Sequence, residues 1–267
     1  MENRILVSVA VRAYQAEKYI AECLDGIIMQ KKDGFDIEIV ISTDCCTDNT
    51  LDIIKKYQIK YPNIIRNVTP EKNIGGFKTL FYVISECKGK YIALCDGDDY
   101  WTDENKLKKQ IDFMENNETY SACFHNSAIK YEMETNRVYS EIVKDKDYFS
   151  NEIIRKWVIP TSSFFFCGKY KNDFPLKEGF YHDDIIVFLT MAEKGKIRGF
   201  SDEMSVYRKT SGSWTATMGV SVSIYDKIDL HLKTIEKKFE KVSNSTIILL
   251  RLKNKILKVR FKVKNKL

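Results

Sequence analysis

An α/β fold, with a mostly parallel sheet covered by helices on both faces, is the architecture this sequence predicts. Three observations carry that expectation. Apolar runs of strand length alternate with segments of helical periodicity through the first hundred or so residues. The connections between them are short. Most of the early apolar runs are continuous rather than alternating, as strands buried on both faces are.

Residues 4–11 (RILVSVAV) read as the first buried strand. Over 17–30, Ile20, Cys23, Leu24, Ile27 and Ile28 share one helical face. Residues 35–41 (FDIEIVI) read as a second strand. The Ser/Thr/Asp-rich stretch STDCCTDNT then caps a helix over 50–60 through Thr47 or Asp48. A short strand over 63–68 is followed by a glycine turn, KNIGGF, and a helix over 77–87. Residues 90–95 (KYIALC) form another buried strand, stopped at once by Asp96-Gly97-Asp98-Asp99. Beyond it the spacing predicts a helix over 105–115, strands over 119–131 and 137–143, a strand over 157–167, a helix over 183–194, and a strand with a turn over 196–209.

Composition excludes several classes. The 267 residues are 44% hydrophobic and 30% charged, enough for a real core and far from a disordered chain. No run approaches the roughly 18 apolar residues of a membrane span, and the start reads as a strand rather than a signal peptide, so a cytoplasmic protein is expected. Seven cysteines without regular spacing predict free, mostly buried thiols. The phosphate-binding loop of nucleotide triphosphatases, the dinucleotide-binding glycine fingerprint, the Gly-x-Ser-x-Gly nucleophile and the His-Glu-x-x-His zinc motif are all missing.

In open α/β sheets ligands bind beyond the carboxyl ends of the strands. Arg12, Asp44 and Asp96 to Asp99 each follow a strand, so three strand ends deliver polar groups to one edge. Asp96 and Asp98 are two residues apart and point the same way in extended geometry. Hard oxygen ligands of this kind suit Mg2+ or Mn2+, with further ligands from phosphate. Gly97 admits a close backbone approach. Asp183-Asp184, at the start of a predicted helix, reads either as a helix cap or as a source of a general base.

The order and spacing of these pieces resemble glycosyltransferase family 2, inverting enzymes of the GT-A fold. The matching stretches are Val7 to Gln15, Ser42 to Thr50, Asn73-Ile74-Gly75-Gly76, Asp96 to Trp101, Pro160 to Ser163, His182-Asp183-Asp184 and Val206-Tyr207-Arg208, covering about residues 3–215. The resemblance implies transfer of a sugar from a nucleotide-diphosphate donor, typically UDP-linked, to a hydroxyl of a glycan or lipid-linked acceptor in cell-surface polysaccharide synthesis. It implies that Asp44 reads the base, with Arg12, Tyr14, Asn73, Gly75, Gly76, Asp96 and Gly97 on the donor side. It makes Asp98, with Asp96, the ligands of Mn2+ or Mg2+, and Asp184 or Asp183 the general base. Trp101, Thr161, Ser162, His182 and Arg208 fall to the sugar and acceptor pockets. Three departures stand out. Arg12-Ala13-Tyr14-Gln15 replaces the usual Pro-Thr-Tyr-Asn, Thr43 replaces a common acidic residue, and Thr210 replaces a frequent histidine.

The expected layout is a glycosyltransferase domain over 1–220, with a nucleotide half over about 1–104 and an acceptor half over 105–220. A basic amphipathic helical tail over 221–267 follows. Residues 233–267 hold twelve Lys/Arg and two Glu, a net +10, against −4 for the rest, from the whole-chain +6. Apolar residues from Ile228 to Val263 recur at spacings of three and four. Such a segment suits an anionic membrane surface, with a homodimer helix or packing on the body as the other readings. The acidic body argues against nucleic acid as a partner. A nucleotidyltransferase and a non-catalytic nucleic-acid-binding protein are the rival functions. The loop after the first strand, AVRAYQAEK, lacks the glycine-rich triphosphate cradle the former needs.

Overall fold

A computed structural model of the chain describes residues 4–132, 137–139, 143–156, 158–176, 179–210 and 221–264. The predicted strand over 137–143 lies partly outside these residues, as do Trp157 and the last three residues of the basic segment.

The centre is a sheet ordered β3-β2-β1-β4-β9-β6-β10-β5. Strand β1 (Ile5–Arg12) pairs in parallel with β2 (Phe35–Ser42) on one side and β4 (Tyr91–Asp96) on the other, and β2 carries β3 (Ile65–Asn67) in parallel. Helices α1 (Ile20–Ile28), α2 (Thr50–Lys60) and α3 (Gly76–Glu86) make the crossovers. Alternate residues of β1 feed two apolar clusters. Val7, Val9 and Val11 join Ile20, Leu24, Ile27 and Ile54, while Ala10 joins Leu80, Val83 and Ile84. Both faces of the strand are covered, which is why its sequence is apolar throughout.

The second half turns antiparallel. After β5 (Tyr100–Trp101) and α4 (Lys106–Glu115), β6 (Tyr120–Tyr131) pairs with β7 (Arg137–Tyr139) and β9 (Phe165–Cys167), both antiparallel. Strand β8 (Lys146–Tyr148) and helix α5 (Ser150–Lys156) follow, and after helix α6 (Asp183–Lys194), β10 (Lys196–Lys209) returns parallel to β6. Phe164, Phe165 and Phe166 are all fully buried, Phe165 in one cluster and its neighbours in the other.

Two elements differ from the expected ones. The strand over 157–167 shortens to β9 because a 3-10 turn occupies Thr161–Ser163. The carbonyl of Pro160 accepts the Ser163 N–H at 3.0 Å and the Ser163 Oγ–H at 2.7 Å, closing the turn locally. The turn expected within 196–209 is an irregularity inside one long strand, where the β6 register shifts between Phe200 and Glu203. Asp145 satisfies Ser201 there, accepting from its N–H at 3.1 Å and its Oγ–H at 2.6 Å.

The C-terminal stripe divides into α7 (Val222–Lys238) and α8 (Asn244–Lys264). The break is built in, because Ser243 Oγ accepts the Thr246 N–H at 3.3 Å as an N-cap. Leu232, Ile235, Phe239, Val242 and Ile247 are buried with Phe188 and Leu189 of α6 in one core cluster. The first part of the stripe therefore packs on the body. Among the described residues no helix is long and apolar enough to cross a membrane. The seven cysteines are free thiols, four of them buried.

Candidate active site

Parallel pairing brings the strand ends level. Arg12, the last residue of β1, sits in register with Ser42 of β2 and Asp96 of β4. The polar loops after these strands therefore open on one edge, and the N-terminus of α6 adds Asp183 and Asp184 to it.

The Asp96–Asp99 turn is held from beneath. Gly97 N–H donates to the Arg12 carbonyl at 2.7 Å, and Asp99 N–H donates to the Asp96 carbonyl at 3.0 Å. A Cβ on Gly97 would lie 2.6 Å from the Ala13 Cβ, so the glycine is required by the neighbouring strand exit. Asp99 is buried, and its Oδ1 accepts the Arg208 N–H at 2.9 Å. The Arg208 side chain donates from Nη1 to the Asp98 carbonyl at 2.9 Å and pairs with Glu22 of α1. Its guanidinium lies over the rings of Tyr19 and Tyr100, at 4.7 and 4.8 Å. Arg208 and Asp99 thus fix the turn, leaving Asp96 and Asp98 at its partly exposed side.

One guanidinium organises the carboxylates. Arg12 Nε donates to Asp96 Oδ1 at 3.0 Å, Nη1 donates to the Gly76 carbonyl at 3.1 Å, and the same Nη1 pairs with Asp183. Burial works against the charge on Arg12, but Asp183 and Asp96 outweigh it and raise its pKa. The acids exceed the cations at this edge. Burial raises Asp96 despite Arg12, and burial with Asp96 pushes Asp98 up to about 6. Burial with Asp98 raises Asp99 well above the usual carboxylate range. Burial, then Asp183, pushes Asp184 up to about 7, against the Ile185 N–H that donates to its Oδ1 at 2.8 Å. Asp183 Oδ1 accepts the Asp184 N–H at 2.9 Å, so each aspartate also takes up an amide of the first turn of α6.

His182 precedes this pair. Burial pushes it down to about 4, and its ring meets that of His231 from α7 at 5.3 Å. His231 in turn accepts the Tyr181 N–H at Nδ1, at 3.1 Å.

On the β2 and α3 side of the edge the loops form a connected system. Asp44 is 3% exposed and adopts φ +48°, and its Oδ1 accepts the Ile74 N–H at 2.8 Å. Asn73 Nδ2 donates back to the Asp44 carbonyl at 2.8 Å, while its Oδ1 accepts the Gly75 N–H at 3.0 Å. Gly75 has φ +85°, a conformation that favours glycine, and it opens α3. Tyr14 stands 57% exposed at the rim. Gln15 Nε2 donates to Thr47 Oγ1 at 3.0 Å and ties the first loop to the second.

Three residues expected at the sugar and acceptor pockets are buried. Trp101 is 2% exposed, its Nε1 donates to the Ser162 carbonyl at 2.9 Å, and Lys106 Nζ lies over its ring at 3.9 Å. Ser162 is fully buried, with its Oγ 3.2 Å from Ser205 Oγ. Arg208 is the buried clamp just described. Thr161 is half-buried in the 3-10 turn. The Arg208–Glu22–Asp99 clamp escaped the sequence reading. Glu22 carries no signal beyond a position on the polar side of a helix. Also unforeseen is a mostly apolar cavity of about 610 Å³ beside α3, bounded by Phe77 next to Gly76 and by Phe180 two residues before His182.

The donor set suits a hard divalent cation. Among the described residues no group of three or more His, Cys, Asp or Glu side chains forms a metal cage. Asp96 and Asp98 supply oxygen donors, and a cation would offset the burial and like-charge repulsion that raise them.

Comparison with known proteins agrees with this geometry. Residues 8–209 match the family described as Glycosyl transferase family 2. An uncharacterised protein of Mycobacterium tuberculosis is 30% identical over 210 residues, covering 78% of this chain and 60% of that protein. TuaG of Bacillus subtilis, named as a teichuronic acid biosynthesis glycosyltransferase, is 35% identical over 109 residues, 41% of this chain and 42% of its own length. The chain thus spans about half the length of these curated relatives. A crystal structure of TarS residues 1–349 from S. aureus with UDP-GlcNAc superposes with a TM-score of 0.71 at 21% identity, covering 94% of this chain and 72% of that one. That likeness establishes the fold, a mostly parallel α/β sheet of the GT-A kind.

Proposed function

This chain belongs to glycosyl transferase family 2, and from that premise we propose that it is a metal-dependent, inverting glycosyltransferase. Its donor is a nucleotide diphospho-sugar, UDP-linked by preference. Its acceptor is a hydroxyl of a glycan or a lipid-linked sugar in cell-surface polysaccharide synthesis. The likeness to TuaG and to the UDP-GlcNAc-bound TarS supports the substrate class.

The observation that carries this reading is the meeting of Asp96, Asp98, Asp183 and Asp184 around Arg12 at the carboxyl edge of the sheet. Asp98, with Asp96, would hold Mn2+ or Mg2+, which when bound offsets negative charge on the diphosphate leaving group. Arg12 holds Asp96 and Asp183 in fixed positions and adds positive charge beside the phosphates. Asp44, Asn73, Gly75 and Gly76 line the nucleoside side, with Tyr14 and Gly97 at its rim. Asp184 takes the proton from the acceptor hydroxyl, and its raised pKa of about 7 matches that task. Asp183 keeps the pair oriented through Arg12. A single base and a single displacement invert the anomeric centre. His182, Thr161 and the aromatic cavity bounded by Phe77 and Phe180 offer acceptor surface, with Trp101, Ser162 and Arg208 supporting it from beneath. The nucleotide half spans about 1–104 and the acceptor half 105–220. Free thiols throughout fit a reducing compartment.

The test is to incubate the protein with UDP-, dTDP- and GDP-sugars, with Mn2+ or Mg2+, and to measure nucleoside diphosphate release. Slow metal-stimulated release from one donor class is the expected result. Turnover of nucleoside triphosphates alone would instead mark a nucleotidyltransferase.

A further inference from the structure

We propose that the outer face of α8 lies on an anionic lipid bilayer. Helix α8 carries apolar residues on two opposite sides. Its inner side packs on α7. There Asn254 Nδ2 donates to the Tyr225 carbonyl at 2.7 Å, Arg251 Nε pairs with Asp229 at 2.8 Å, Lys258 pairs with Asp226, and Phe261 meets the Tyr225 ring. The outer side holds Leu249, Ile256, Val259 and Val263, with Ile248 and Leu252 continuing it to the groove between α7 and α8, each between 52% and 74% exposed. At 3.6 residues per turn these six fall within an arc of about 100°. A helix that merely coats a protein turns its polar side to water. Here the polar pairs face inward and the stripe faces out.

Charge identifies the occupant. Residues 244–264 contain seven Lys/Arg and no Asp or Glu. Arg251 and Lys258 are matched by carboxylates of α7. The other five border the stripe, Lys255 and Lys262 along one edge and Lys253, Arg260 and Lys264 along the other. An apolar strip with cations on both margins complements lipid tails beneath anionic headgroups. A second copy of the chain fits poorly, because two α8 stripes facing each other would bring these cations together with no carboxylate on either helix. The stripe is about 22 Å long, short of the roughly 30 Å hydrocarbon core, so the helix lies along the surface.

The experiment uses the full chain and two vesicle preparations, phosphatidylcholine alone and phosphatidylcholine with phosphatidylglycerol. Cosedimentation is measured at low and high salt, with size-exclusion chromatography in parallel. The expected result is binding to the anionic vesicles only, reduced at least about tenfold by high salt, by Leu252→Glu with Ile256→Glu, or by Lys253→Glu with Lys262→Glu. These exposed positions lie outside the proposed catalytic and binding machinery, so sugar-nucleotide hydrolysis in solution stays unchanged and reports that the variants fold. Equal binding to both vesicle types, or binding insensitive to these substitutions, overturns the proposal. So does a dimer that Leu252→Glu dissociates while the native chain ignores vesicles. A chain that hydrolyses donor but ignores vesicles refutes the surface proposal alone and leaves the transfer reading standing.

Discussion

Arg12 Nε and Asp96 Oδ1 meet at 3.0 Å across two neighbouring strand ends that the β1–β4 register holds level. The same guanidinium also reaches Asp183 at the start of α6. A single side chain thus links the proposed metal-binding strand to the helix proposed to carry the base.

Replacing Arg12 by Met leaves Asp96 and Asp183 facing each other without their cation. Breaking a largely buried pair from one side costs on the order of 3 kcal/mol. Donor hydrolysis should fall at least about a hundredfold. Thermal denaturation should show a lower Tm than the native protein, with part of the loss restored by Mn2+. An unchanged Tm would show that Arg12 does not bind these acids together in solution.

Asp184→Asn removes the proposed base. Transfer to acceptor should drop sharply while UDP affinity, measured by calorimetry, stays within about threefold. A large loss of UDP affinity instead would reassign the residue to the donor site.

The pH dependence follows from the same carboxylate. Asp184 must be ionised to accept a proton, and burial with Asp183 pushes it up to about 7. Turnover should therefore rise with pH and reach half its plateau near 7. Stability has the opposite slope. The folded state binds this proton more tightly than the unfolded chain, so the contribution of Asp184 to stability falls as pH rises from about 4 to about 7. Above pH 7 the Asp184→Asn protein should melt higher than the native one, and below about pH 4 the difference should vanish.

Gly97→Ala places a Cβ 2.6 Å from that of Ala13. Overpacking of this kind costs about 1–3 kcal/mol and must displace the turn that carries Asp96 and Asp98. The expected result is a lower Tm together with a raised metal concentration for half-maximal activity. A raised metal requirement with no change in Tm would show that the backbone yields without strain.

Much of the parallel first half was legible in the sequence because its signals are local. Continuous apolar runs marked β1, β2 and β4, and the acidic turn had to follow a strand to be useful. The second half was harder for physical reasons. The resemblance assigns Trp101 and Ser162 to the pockets through their place in the matching stretches, which does not report burial. In the fold they bond to each other inside the core. Arg208 and Glu22 are 186 residues apart, and only the closed sheet brings them together. The stripe from Ile228 to Val263 read as one amphipathic helix with membrane, partner and body all open as its cover, because periodicity does not report which side meets the body. Ser243 breaks it, and burial of Leu232, Ile235 and Phe239 divides its role.

The most direct measurement is calorimetric titration of UDP into the native protein and into Asp98→Asn, each with and without Mn2+. Mn2+ should tighten UDP binding at least about tenfold in the native protein and have no such effect in the variant. Equal UDP affinity in all four titrations would contradict a cation held between Asp96, Asp98 and the diphosphate.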